Sequence, residues 1–174
     1  MTTAIDGVVV VDLTSHADDR GSVAEVFRQS WLPAARAVVQ ANLSISRPGV
    51  LRGLHFHREQ SDYWIPVAGT AFVGLFDLRR GSPTAGTKAE LRIGEEARRA
   101  LLIPPGVAHG FYAESDLQLL YFVDTYYTGN DEFGLAWNDP EVGIDWPRRE
   151  PVLSERDQTN PRLQDIPFVP TFRT

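Results

Sequence analysis

The stretch Gly49-Val50-Leu51-Arg52-Gly53-Leu54-His55-Phe56-His57-Arg58-Glu59-Gln60-Ser61-Asp62-Tyr63-Trp64-Ile65-Pro66-Val67-Ala68-Gly69 decides how this chain folds. Val50 to Phe56 and Tyr63 to Val67 are short apolar runs rich in branched and aromatic residues, with a polar segment between them. Bounded by glycine, runs of this length read as β-strands, because a helix needs a longer periodic pattern. Residues two apart in a strand point to one face, so an extended His55-Phe56-His57 sends both imidazoles into the same space. Asp62 stands at the head of the second run and adds a carboxylate.

Working outward, the same texture recurs on both sides. Val8 to Val11, Val23 to Phe27, Ala37 to Ser46, Ala71 to Leu78, Lys88 to Ile93, Leu101 to Ile103, Gly110 to Ala113 and Leu117 to Asp124 all read as strands. Asp18-Asp19-Arg20-Gly21 reads as a turn, Trp31 to Arg36 as a short helical turn, and Glu95 to Ala100 as a turn leading into a strand. About ten short strands without a sustained helical period predict an all-β fold, a sandwich or jelly-roll barrel. From Gly129 onward Pro140, Pro147, Pro151, Pro161, Pro167 and Pro170 interrupt any long element. This C-terminal tail is therefore expected to be loop-rich and short-helical and to wrap the barrel, with Trp137 and Trp146 as anchors. One domain over 1–174 is predicted: N-terminal strands in 1–48, a barrel core in about 49–128 and the tail in 129–174.

Composition narrows the chemistry. The 174 residues are 43% hydrophobic, carry 17 Lys and Arg against 23 Asp and Glu, and contain no cysteine. Disulfides, thiolate catalysis and Cys-based metal centres are excluded, so a metal would need His and carboxylates. A net charge of −6 lacks the basic footprint of nucleic-acid binding, although a local arginine pair can still hold a small anion. No stretch reaches the ~20 apolar residues of a membrane helix, and the N-terminus has no secretory signal pattern. A cytoplasmic protein with no membrane partner is expected.

Three of the four histidines fall in two motifs: Gly49-x5-His55-Phe56-His57-x4-Asp62-x6-Gly69, and Pro104-Pro105-Gly106-x2-His109. This spacing resembles the paired motifs of the cupin superfamily, whose histidines and acid converge on a metal inside a jelly roll. The resemblance implies a cupin-type jelly-roll barrel and makes His55, His57, Asp62 and His109 a candidate site for a divalent metal.

A narrower resemblance runs from Asp19 to Asp157. Asp19-Arg20-Gly21, Gln40-Ala41-Asn42-Leu43-Ser44, Val50 to Phe56, Phe76 to Thr84, Ile103 to Phe111, Tyr121, Trp137 to Pro140, Gly143 to Pro147 and Leu153 to Asp157 occur in family order. Together they resemble the dTDP-4-dehydrorhamnose 3,5-epimerase family. The resemblance implies an isomerase acting on a dTDP-4-keto-6-deoxyhexose in deoxysugar synthesis, such as dTDP-rhamnose formation. The reaction removes and returns a proton at C3, C5 or both, with no required cofactor. By resemblance His55 is the general base, Asp157 orients it and Tyr121 reprotonates the intermediate. A histidine with pKa about 6.5 and a tyrosine with pKa about 10 suit those roles at neutral pH. Arg20, Glu25, Gln40, Asn42, Arg52, His109 and Tyr127 are implied to bind substrate, arginine gripping the diphosphate through parallel hydrogen bonds. N-terminal strands that pair across a dimer in this family imply a homodimer.

Two positions depart from the family pattern. A lysine that stabilises the enolate is expected seven residues before Gly69, where this chain has Asp62, and a non-ligand such as glutamine is expected where it has His57. Two alternatives follow: a metal-dependent cupin isomerase or oxygenase on the epimerase scaffold, or a non-catalytic nucleotide-sugar-binding module. If His55 held the metal, it could not also be a free base. Elsewhere His16 reads as a surface residue, Arg79-Arg80 and Arg98-Arg99 as solvated pairs, and Tyr126 and Tyr127 as either packing or ligand-facing.

Overall fold

Alternation of side chains across the pleat builds this molecule, seen in a computed structural model that describes residues 3–32, 37–95 and 97–172. The elements in chain order are β1 (Val9–Asp12), β2 (Ser15–Asp18), β3 (Gly21–Ala24), β4 (Gln40–Ser46), β5 (Leu51–Phe56), β6 (Asp62–Ala68), β7 (Thr70–Asp77), β8 (Lys88–Gly94), β9 (Arg99–Ile103), β10 (Val107–Ala113), β11 (Leu117–Val123), β12 (Phe133–Gly134) and α1 (Glu155–Thr159). Short 3-10 turns occupy Gln29–Trp31 and Leu163–Asp165.

Two five-stranded antiparallel sheets face each other. One runs β1-β9-β6-β11-β4 and the other β12-β5-β10-β7-β8, while β2 and β3 form a separate hairpin. This is the cupin-type jelly roll that the strand pattern and the first resemblance predict. Between the sheets, Val10, Val73, Leu75, Ile93, Leu101, Ile103, Val107 and Leu117 form a closed apolar core. The same inward faces become polar toward the end occupied by His55, Asp62, His109 and Tyr121, and that end is hollow.

The tail covers the outer face of the second sheet. Ile144, Trp146, Leu163, Ile166 and Phe168 pack on Leu54, Phe56, Phe76 and Ala108. Gly74 lets it lie close, since a Cβ there would sit 2.8 Å from Ile144 and 2.9 Å from the Trp146 ring. The Trp146 indole donates to the Trp137 carbonyl at 2.7 Å, so both tryptophans anchor the tail.

Some details differ from expectation. Strands β2 and β12 lack the apolar alternation that would announce them; β2 carries His16, which is exposed there. The helical turn expected over Trp31 to Arg36 ends at Trp31, and residues 33–36 lie outside the described part. Arg79 is not solvated: it is 4% exposed and its guanidinium grips Asp77 at 2.8 and 2.9 Å while donating to the Asp6 carbonyl. Ser82 and Thr84 also donate to Asp77, which makes this carboxylate the hub of the turn after β7.

Candidate active site

A cleft of about 410 Å³ opens between the sheets at the polar end of the barrel. Strand β4 contributes Gln40, Asn42 and Ser44 from alternate positions, and β11 contributes Leu119, Tyr121 and Val123 in the same way. The opposite sheet contributes Arg52 and His55 from β5 and His109 and Phe111 from β10.

Strict alternation would put Arg52 and His55, three residues apart, on opposite faces. They share the cleft because β5 carries one extra residue. His109 pairs with His55 but Phe111 pairs with Arg52, so two steps on β10 match three on β5. A bulge of this kind inverts the pleat parity beyond it. Gly53 allows it with φ +126°, pressed so close to β10 that a Cβ would lie 2.6 Å from Gly110 Cα.

His55 Nε2 lies 2.7 Å from Asp157 Oδ1. A carboxylate only accepts, so Nε2 carries a hydrogen, and in the neutral ring Nδ1 then holds the lone pair. Glu132 stands 3.6 Å from Nδ1 and is itself paired with Arg156 at 2.9 Å. Asp157 is buried and sits in the first turn of α1, whose N-cap Ser154 bonds its backbone N–H. Burial alone would raise its carboxyl. The hydrogen bond and charge of His55, with donors at Ser154 and Gly53, more than offset that and hold it below 3.8. Tyr121 faces the cleft from the other sheet, and burial, with the charges of Asp62 and Glu132, raises its hydroxyl above 10.

A second cluster lies deeper. His57 Nε2 is 3.4 Å, and His109 Nε2 is 3.7 Å, from Asp62 Oδ2, and all three residues are buried. The indole of Trp64 stands edge-on to the His109 ring, 5.3 Å between centroids. Burial pushes the Asp62 carboxyl up to about 6, although His57 and Gln60 oppose it. Burial, then the neighbouring His57, lowers the His109 imidazole well below 6.5.

Of the residues singled out in the sequence, His55, His57, Asp62, His109, Gln40, Asn42, Arg52, Tyr121 and Tyr127 line one cleft, with Asp157 behind His55. His55 stands apart from the convergent trio His57, Asp62 and His109, so the four expected metal ligands do not meet as one set. Arg20 and Glu25 are not on the cleft: Arg20 is at the tip of the β2–β3 hairpin, paired with Asp18, and Glu25 follows it, paired with Arg28. Tyr126 is exposed, while the Tyr127 backbone N–H is fixed by Gln40. Sequence reasoning missed Gln60, Asp131 and Glu132. Asp131 accepts from the N–H groups of Arg58, Glu59 and Gln60 and so shapes the loop that aims His57. The acidic Asp131-Glu132 pair was the available signal.

The family model for dTDP-4-dehydrorhamnose 3,5-epimerase matches residues 2–165. This chain belongs to the dTDP-4-dehydrorhamnose 3,5-epimerase family. It is 36% identical over 174 residues to the dTDP-4-dehydrorhamnose 3,5-epimerase of Methanothermobacter thermautotrophicus, covering 95% of this chain and 94% of that protein. It is also 37% identical over 181 residues to the dTDP-4-dehydrorhamnose 3-epimerase of Streptomyces niveus, covering 98% of this chain and 87% of that protein. Among solved structures, the dTDP-6-deoxy-D-glucose-3,5-epimerase of Legionella pneumophila in complex with dTDP-4-keto-L-rhamnose superposes with a TM-score of 0.90. The two are 33% identical, over 98% of this chain and 96% of that one. In this chain His55, backed by Asp157, lies on one wall of the cleft and Tyr121 on the other.

Proposed function

We propose that this epimerase-family chain is an isomerase that moves a proton at C3, at C5 or at both in a dTDP-4-keto-6-deoxyhexose. The carrying observation is the His55–Asp157 pair on β5 facing Tyr121 on β11 across one cleft. An α-proton beside a ketone leaves only if a base meets it and the enolate is stabilised. His55 Nδ1, with Nε2–H held by ionised Asp157, is the base. Tyr121, on the facing sheet, still holds its proton at neutral pH and returns one from the other side. Removal from one face and return to the other inverts the centre. The electrons of the broken C–H bond stay on the substrate, so no redox cofactor is needed. Arg52, with Asn42 and Gln40 on the neighbouring sheet, binds the nucleotide diphosphate, and His109 and Tyr127 complete the substrate contacts.

Arg20 and Glu25 reach a cleft only through a second copy, which supports a homodimer. The β2–β3 hairpin hydrogen-bonds only within itself among the described residues, and a lone two-stranded hairpin is marginal in water. Val23 is 72% exposed on it, and Leu43 and Ile45 are 55% and 67% exposed on edge strand β4. Pairing of two copies would cover both surfaces and bring Arg20 to the partner's nucleotide. The site of action is the cytoplasm; no helix among the described residues is long and apolar enough to cross a membrane.

The deciding experiment is incubation with dTDP-4-keto-6-deoxyglucose in deuterium oxide. Deuterium at C3 or C5, with the inverted product, is expected and shows which carbon reacts. Tight dTDP binding without exchange at either carbon would leave a binding module and end the epimerase reading. Sedimentation at twice the chain mass is expected; a monomer that binds dTDP normally would remove the role given to Arg20.

A further inference from the structure

The buried trio His57, Asp62 and His109 presents an unusual hydrogen-bond pattern. His57 Nδ1 is 2.5 Å from the Asp131 carbonyl oxygen, and His109 Nδ1 is 2.9 Å from the Val107 carbonyl oxygen. A carbonyl oxygen only accepts, so each ring carries its hydrogen on Nδ1 and turns a bare Nε2 lone pair inward. Both Nε2 atoms lie near Asp62 Oδ2, itself an acceptor when ionised, at 3.4 and 3.7 Å. Three acceptors thus converge, served by the Gln60 amide at 3.2 Å from His57 Nε2 and 3.4 Å from Asp62 Oδ2, and by the Trp64 indole on Asp62. A cation between them satisfies all three at once.

We propose that His57 Nε2, Asp62 Oδ2 and His109 Nε2, which line the substrate cleft, form a three-ligand site for a borderline divalent metal such as Zn²⁺. Several observations agree. The candidate ligand atoms all lie within 4.8 Å of one another. Two atoms bound to one tetrahedral ion at about 2.0–2.1 Å stand about 3.4 Å apart, close to the two separations seen here. Each histidine has its other nitrogen tied to a backbone carbonyl, the arrangement that holds a ligating imidazole in place. Two imidazoles and one carboxylate suit Zn²⁺, Co²⁺ or Fe²⁺ better than Mg²⁺ or Ca²⁺. Gln60 turns its amide aside on loading, its carbonyl already accepting from Thr125.

This set differs from the expected grouping of His55, His57, Asp62 and His109 in what it leaves out. His55 is committed to Asp157 and keeps its own proton chemistry, so base and metal need not compete. Resting on the epimerase reading, an ion held by these three residues would supply Lewis-acid polarisation of a ketone oxygen in a cleft where Asp62 stands in the place of a lysine.

The test uses untagged full-length protein stripped with a chelator and titrated with ZnCl₂ by calorimetry, alongside Co²⁺ absorption spectra and anomalous diffraction. One equivalent per chain is expected, with density between the three side chains and a raised melting temperature. Asp62→Asn and His109→Gln should weaken binding beyond the ~10–100-fold that loss of a supporting partner costs, while His55→Asn binds as the parent does. Should either ligand variant fail to fold, His57→Gln and the anomalous map carry the same test. Less than about a tenth of an equivalent at saturating Zn²⁺, unchanged affinity in the ligand variants, or density elsewhere would overturn the proposal. Deuterium exchange by protein that binds no metal would refute the site and keep the epimerase reading. One bound ion without exchange would do the reverse.

Discussion

His55 and Asp157 are 102 positions apart, yet the 2.7 Å contact between them sets the direction of the proposed chemistry. With Nε2–H held by a carboxylate, only Nδ1 can take a proton. Asp157→Asn replaces a pure acceptor with an amide that can present a donor and weakens this preference. The expected outcome for His55→Asn is a fall in the deuterium-exchange rate of about 10²–10⁴-fold, with dTDP affinity within a few-fold of the parent. Asp157→Asn should lower the exchange rate in the same direction. An exchange rate unchanged in His55→Asn would assign the base elsewhere. Residue types and motif order were legible in the sequence here. The tautomer was not, because it depends on which neighbour each ring nitrogen meets.

At the scale of elements, the β5 bulge and the tail position the site. Gly53→Ala must place a methyl 2.6 Å from Gly110 Cα at a φ of +126°, so β5 and β10 have to separate. The expected cost exceeds ~2 kcal/mol in a urea melt, and exchange activity falls as the His55–His109 register is disturbed. Trp146→Ala tests the tail. This ring packs on Phe72 at 5.8 Å and donates to Trp137, so its removal should cost about 2 kcal/mol, less than for a fully buried tryptophan. Faster proteolysis between Gly129 and Pro170 should accompany it. Most barrel strands were legible because their alternation is local. The turn at Asp18 to Gly21 was legible too, with its following strand expected over Val23 to Phe27 and found at Gly21–Ala24, but β2 and β12 were not, since short polar strands draw their stability from pairing rather than from apolar faces.

For the whole molecule, the buried Asp77–Arg79 pair ties the N-terminal segment to the barrel through the Asp6 carbonyl. Burial raises the Asp77 carboxyl, but donors from Arg79, Ser82 and Thr84 more than offset it and hold its pKa below 3.8. A carboxyl lowered in the folded state stabilises the fold above its unfolded pKa of 3.8, and that contribution is lost as pH falls through the folded value. Acid melts should therefore show stability falling below about pH 4. Asp77→Asn leaves Arg79 buried without its counter-charge and should cost about 3 kcal/mol at pH 7. The gap to the parent should narrow in acid; a gap that stays constant from pH 7 to pH 3 would refute this role for the Asp77 charge.

The sequence by itself determined the all-β texture, the loop-rich tail, the absence of thiol chemistry and the family, because these depend on residue type, local period and motif order. The tertiary structure decided which side chains meet. A one-residue bulge brought Arg52 and His55 to the same face. The Asp131 carbonyl, 74 positions away, holds His57 Nδ1 while His57 Nε2 lies 3.4 Å from Asp62. The turn after β7 buried Arg79, which its neighbours in the chain suggested was solvated. Each of these rests on contacts between segments distant in sequence, and the period of a single strand carries no record of them.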